Sequence, residues 1–104
     1  MASFVEREYH SISGEVRSEK YFTNDVLHRD HAPALTSYFE NGTRHYVEYY
    51  SNGFLHNTNG PAYVEYYDSG NMKTEAYFVN GQRHRVGGPS LIYYHENGTV
   101  KSSQ

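Results

Sequence analysis

Short runs rich in Tyr, Phe, Val and Thr alternate along this chain with Asn-Gly, Ser-Gly and Gly-Pro signals. Aromatic and β-branched side chains suit a pleated strand, while Gly and Asn supply the left-handed backbone of tight turns. No stretch returns its apolar residues at the helical period of 3.6. The pattern predicts an all-β fold: a single-layer antiparallel meander of about eight short strands, open and twisted, near residues 4–11, 15–23, 33–39, 43–51, 61–67, 71–79, 89–95 and 99–103. Glu40-Asn41-Gly42, Asp68-Ser69-Gly70 and Glu96-Asn97-Gly98 suit three-residue hairpin loops closed by a left-handed glycine. Thr23-Asn24-Asp25, Ser51-Asn52-Gly53 and Val79-Asn80-Gly81 suit the same loop. Proline lacks an N–H, so Pro33, Pro61 and Pro89 belong at a strand start or a bulge.

The pattern has a period. Tyr21-Phe22, Tyr49-Tyr50 and Tyr77-Phe78 open three 28-residue units, 21–48, 49–76 and 77–104, and residues 1–20 form a partial capping unit of the same single domain, 1–104. His28, His56 and His84 occupy one position of the unit. Tyr38, Tyr66 and Tyr94 occupy another, as do Gly42, Gly70 and Gly98. Residues that return at a fixed period are explained first by the scaffold.

The Tyr49-Tyr50-Ser51-Asn52-Gly53 turn and the Gly60-Pro61-Ala62 connection carry a resemblance, as does the phrase Asn80-Gly81-Gln82-Arg83-His84-Arg85-Val86-Gly87-Gly88-Pro89. The phrase returns less fully from Asn52 to Pro61, where Asn57 replaces the arginine. The chain resembles the MORN-type (membrane occupation and recognition nexus) repeats over essentially its whole length. It is closer still to the variant repeats of bacterial antitoxin-component proteins and of phage and large-virus proteins. The resemblance implies a single-layer β-meander used for protein contacts. It also implies an antitoxin-like or phage-encoded inhibitor that occludes a bacterial toxin, nuclease or defence protein. The longer unit and the Gly-Pro connection depart from the common MORN pattern and weigh against an inherited lipid-binding role.

Alternation along the strands sorts the second unit into two faces. Ala62, Val64, Tyr66, Met72, Thr74, Ala76 and Phe78 form the expected buried face. Tyr63, Glu65, Tyr67, Asn71, Lys73, Glu75 and Tyr77 form the expected solvated one. In the first unit Arg44 and Glu48 fall on the apolar side, and Leu35, Phe39 and Val47 on the other. Tyrosine buries much area at low entropic cost and keeps a polar tip, which suits binding hot spots. The candidate protein-binding residues are therefore Tyr49, Tyr63, Glu65, Tyr67, Lys73, Glu75, Tyr77 and Tyr93. Tyr9, Tyr21, Phe39, Arg7 and Arg17 are expected among them. A compatible reading is that the rings stiffen a thin sheet through cross-strand pairs.

Composition narrows the function classes. Hydrophobic residues make up 37% of the chain, and 12 of its 104 residues are tyrosine, so a thick core is not expected. Twelve acids against nine Lys plus Arg, net charge −3, argue against binding nucleic acid. There is no cysteine, which excludes disulfides and thiol chemistry and fits a reducing compartment. No apolar run is long enough to span a membrane and the N-terminus lacks a signal-peptide core, so a cytoplasmic location is expected. Asn41-Gly42-Thr43 and Asn97-Gly98-Thr99 match glycosylation sequons but read as turns. His28, His56 and His84 in a row suggest a metal, yet no Cys or paired acid accompanies them, so capping of the Gly-Pro connection is preferred and no cofactor is expected. Glu65 and Glu75 on one face suggest an acid pair, but a surface without a cleft favours ion pairing over catalysis. No nucleophile elbow, phosphate loop or zinc helix is present, and the chain is expected not to be an enzyme. The alternative to partner binding is self-assembly, as a homodimer paired through an open sheet edge.

Overall fold

The computed structural model describes residues 2–104. It contains 13 strands and no helix, so no helix is long and apolar enough to cross a membrane. The strands are β1 (Ser3–Tyr9), β2 (Val16–Thr23), β3 (Val26–Leu27), β4 (Leu35–Tyr38), β5 (Arg44–Glu48), β6 (Tyr50–Ser51), β7 (Phe54–Leu55), β8 (Tyr63–Tyr66), β9 (Met72–Ala76), β10 (Phe78–Val79), β11 (Gln82–Arg83), β12 (Leu91–Tyr94) and β13 (Val100–Ser103). Eight of them form an antiparallel sheet in the order β1-β2-β4-β5-β8-β9-β12-β13, and β3 pairs with the far end of β2. The sheet is open, with β1 and β13 at its edges, and the molecule measures 37 × 34 × 16 Å. This is the single-layer meander that the turn spacing predicts.

The three-residue loops form as expected. Phe39 N–H donates to Thr43 O (2.8 Å) and Gly42 N–H to Phe39 O (2.9 Å), with Gly42 at φ 87°. Asn41 Oδ1 accepts from the Thr43 N–H at 2.9 Å, so this sequon does the work of a turn. Just beyond each loop stands an element absent from the expected pattern. Tyr66 lies opposite Met72 and Glu65 opposite Thr74, which leaves Lys73 as an extra residue. The same slip makes His45, Lys101 and Arg17 extra in the other hairpins. Side chains alternate with period two, so one inserted residue transfers all that follows to the opposite face. The expected faces are therefore corrected: Tyr63 and Glu65 share a face with Thr74 and Ala76, while Val64 shares one with Glu75. In the first unit Leu35 and Glu48 stand together and Val47 stands on the other side with Thr36.

The Asn-Gly turns differ too. Asn52 and Gly53 both have positive φ (51° and 86°), and Ser51 pairs directly with Phe54. These are two-residue type I′ turns, favoured because their twist matches that of the strands they join. They close small hairpins, β6-β7 and β10-β11, that the expected strand list lacks; Asn24-Asp25 does the same between β2 and β3. Successive small hairpins lock together. His28 Nδ1 accepts from the Asn52 N–H and His56 Nδ1 from the Asn80 N–H, both at 3.0 Å. The recurring histidine thus holds the next unit's turn rather than its own Gly-Pro connection. That connection is closed by the following residue: Arg29, Asn57 and Arg85 donate to the carbonyls of Pro33, Pro61 and Pro89 at 3.4, 3.0 and 3.2 Å.

A layer this thin buries small residues most completely. Ala34 and Ala62 are fully buried, and Val47, Val64, Ala76, Thr36, Thr74 and Ile92 nearly so, whereas no large side chain is fully enclosed. The histidine lock gives a clean test. His56→Ala strands the Asn80 N–H and is expected to lower unfolding free energy by about 1 kcal/mol, the net weight of one hydrogen bond. His84→Ala removes an exposed ring with no such partner and should stay within about 0.5 kcal/mol of the parent in urea unfolding.

Candidate functional site

Cross-strand pairing defines two surfaces. One row runs unbroken across all eight strands as Glu8, Ser18, Ser37, Tyr46, Glu65, Thr74, Tyr93 and Ser102, each opposite the next. Beside it run Glu6, Lys20, Leu35, Glu48, Tyr63, Ala76 and Leu91. We term this side the front. The back carries Arg7, Glu19, Thr36, Val47, Val64, Glu75, Ile92 and Ser103.

The centre of the front is an aromatic belt with charge set into it. Phe39 stacks on His45 (centroids 4.2 Å apart), His45 meets the edge of Tyr46 (5.1 Å) and Tyr46 stacks on Tyr63 (6.2 Å). Offset and edge-on pairs of this kind add about 0.5–1.5 kcal/mol each beyond area burial. The Glu65 carboxylate lies 3.8 Å from His45 Nε2 and 3.7 Å from Lys73 Nζ. It also accepts from Thr74 Oγ1 at 3.4 Å. The Lys73 ammonium lies 5.5 Å from the centre of the Tyr67 ring, within cation–π reach. Tyr67, Lys73, Tyr93, Tyr94, Lys101 and Ser102 line a shallow hollow of about 280 Å³. Burial pushes the Tyr63 hydroxyl up to about 12, helped by the charges of Glu65 and Glu48. Burial, with the hydrogen bond donated to Glu48 (2.8 Å), raises Tyr50 as well.

The back is organised by tyrosine hydroxyls that reach glutamates. Tyr38 donates to Glu19 at 3.1 Å and Tyr94 donates to Glu75. The bond to Glu75, then burial, raises Tyr94 to about 12, and burial followed by the bond to Glu19 raises Tyr38. Glu19 also pairs with Arg7 at 2.8 Å. In the middle unit Val47 stands where Glu19 and Glu75 stand in their units, and the Arg44 guanidinium covers the Tyr66 ring instead, at 5.2 Å. Arg29 and Arg85 lie over Tyr21 and Tyr77 at 3.8 and 4.1 Å.

The eight candidate residues do not form one site. Tyr63, Glu65, Tyr67, Lys73 and Tyr93 come together on the front. Glu75 lies on the back, and Tyr77 is beside it near Tyr94. Tyr49, whose unit has Asn57 in place of the covering arginine, lines a separate cleft of about 420 Å³ between connections 28–31 and 56–59. The extra residue at Lys73 is the physical cause of the split. Arg7 and Tyr21 also belong to the back, and Arg17 to the front, where it pairs with Glu8 at 3.3 Å. Sequence reasoning left Tyr46, Tyr50 and His45 out of the site. Their signal lay in the inserted position, which is basic every time as Arg17, His45, Lys73 and Lys101. Among the described residues no three His, Asp or Glu side chains converge where an ion would sit.

The tyrosine shifts predict an alkaline weakness. A hydroxyl held near 12 when folded and near 10 when unfolded keeps its proton more tightly in the native state. Its contribution is therefore complete below about pH 10 and lost as pH rises through about 12. Urea unfolding at successive pH values should show stability falling across that window, with a shallower fall in the Tyr63→Phe, Tyr94→Phe double variant; an unchanged slope would remove these two residues as the cause. Comparison of the chain with protein-family models, with curated proteins and with solved structures finds no significant match in any of the three.

Proposed function

We propose that this chain is a non-enzymatic protein-binding module whose front face docks on a protein partner. The observation that carries the reading is the belt from Phe39 through His45 and Tyr46 to Tyr63, with Glu65 and Lys73 set within it. Stacked rings are already ordered before binding, so little rotamer entropy remains to be lost on contact. Tyrosines flanked by charges of both signs combine apolar area with directional hydrogen bonds, the composition of interface hot spots. The MORN-type resemblance supplies the finer proposal: the partner is a bacterial toxin, nuclease or defence protein, occluded by an antitoxin-like or phage-encoded inhibitor.

A second reading rests on the edges. Every residue of β1 and of β13 is exposed, and an unpaired strand edge is a template for another chain. On this reading the chain pairs with itself as a homodimer or longer assembly.

Two measurements separate the readings. Affinity capture from bacterial lysate, followed by titration of the recovered protein, should show Tyr93→Ala and Lys73→Ala each weakening binding about tenfold, the scale of a hot-spot truncation. The back-face change Arg44→Ala should leave it unchanged, and equal losses on the two faces would sink the front-face assignment. Sedimentation over a wide concentration range should show a single monomeric species; a concentration-dependent shift to dimer would favour pairing through the edges.

A further inference from the structure

The small hairpins are joined by the same three hydrogen bonds twice, and a third set is left unmade. His28 Nδ1 accepts from the Asn52 N–H (3.0 Å), the Leu27 carbonyl accepts from the Gly53 N–H (2.9 Å), and the Arg29 N–H donates to the Tyr50 carbonyl (3.4 Å). One unit on, His56 Nδ1, the Leu55 carbonyl and the Asn57 N–H bind Asn80, Gly81 and Phe78 at 3.0, 2.8 and 3.1 Å. The corresponding groups of the last unit are His84 Nδ1, the Arg83 carbonyl and the Arg85 N–H. Beyond their own hairpin, no described residue bonds any of the three, and residues 80–88 are all exposed.

We propose that this end of the hairpin row is a docking site for a β-hairpin of a partner protein, one that carries a two-residue Asn-Gly turn. The two internal joints specify the occupant. The first turn residue offers its N–H to the imidazole and the second to the carbonyl, which requires positive φ at both positions, as at Asn52 (51°) and Gly53 (86°). At the second joint a Cβ on Gly81 would lie 3.0 Å from the Phe54 ring, but Gln82 holds that place at the open end, so there glycine is favoured by its positive φ alone. Arg83 and Arg85 flank the imidazole, so an acidic residue beside the partner's turn is complementary.

A second copy of this chain does not supply the turn. Its Asn52 and Asn80 N–H groups are held by His28 and His56, and its Asn24 N–H donates to the Ala2 carbonyl at 2.8 Å, an arrangement kept in place by the pairing of Ser3 with Thr23. Copy-to-copy docking would first have to free the Asn24 N–H from Ala2, and would bring Asp25 where the internal joints have glycine. The site lies off the front face, so the front-face reading stands or falls separately.

The probe is a nine-residue peptide with the sequence of residues 77–85, closed into a hairpin by added terminal cysteines and titrated into ¹⁵N-labelled protein. Saturable shifts are expected at the Arg85 amide and the His84 ring nitrogens. A peptide with Ala-Ala in place of the Asn-Gly turn should produce none. His84→Ala should weaken binding roughly three- to tenfold, the weight of one hydrogen bond, while Lys101→Ala on the front leaves it unchanged. Four results would overturn the proposal: no saturation up to the peptide's solubility limit, an equal response to the Ala-Ala peptide, undiminished binding by His84→Ala, or the same shifts arising from the protein alone as its concentration is raised. The last would identify the occupant as a second copy.

Discussion

With no helix among the described residues and only two-stranded hairpins beside the main sheet, most apolar side chains must be covered by neighbours rooted in the same layer. That constraint explains which residues are buried. Ala34, Ala62, Ala76, Thr36 and Thr74 are small enough to vanish beneath adjacent rings, and Val47 and Val64 occupy the middle of the sheet where cover comes from both sides. The covering residues are tyrosines because a ring in a single layer always keeps one part near water. Its hydroxyl then needs a partner, and Glu19, Glu48 and Glu75 provide one. Tyrosine and glutamate therefore serve as one structural unit here, and the low aliphatic content follows from the architecture.

The inserted residue in each hairpin decides how chemistry is distributed between the two surfaces. It brings Arg17, His45, Lys73 and Lys101 to equivalent places, two strands apart and thus about 10 Å from one another. Acids on the facing strands answer some of them, as Glu8 does Arg17 and Glu65 does both His45 and Lys73. The front consequently carries fixed, partly compensated charge among aromatic rings. The back keeps its charge tied up in Arg7–Glu19 and in tyrosine–glutamate bonds. Only the front combines accessible charge with stacked rings, which is why it is the better surface for a partner.

Much of the fold was legible in the sequence. The eight long strands and the glycine-closed loops at Gly42, Gly70 and Gly98 follow from turn chemistry and strand propensity, because those signals are local. The insertions were not legible. They need no glycine and no special dihedral, and their one mark, a basic residue each time at Arg17, His45, Lys73 and Lys101, does not by itself announce an extra residue. Without them the alternation runs out of step halfway through each hairpin, and the candidate site gained Glu75 and Tyr77 and lost Tyr46. The small hairpins had a signal that was misread: adjacent Asn and Gly favour a two-residue turn, and treating them as part of a three-residue loop hid β7 and β11. The role of the recurring histidines depends on contact between residues of successive units, 24 positions apart in sequence, which no local pattern encodes.

The extra residue also sets how this fold can change over time. A substitution at Lys73 alters one side chain, whereas deleting that position would exchange the two surfaces of everything after it up to the next turn. Length at that point behaves like a reading frame, with parity in place of the codon. Whole units can be gained or lost without disturbing that frame, but single residues cannot. The sheet is thus tolerant of changes in the number of its units and intolerant of small changes in their size.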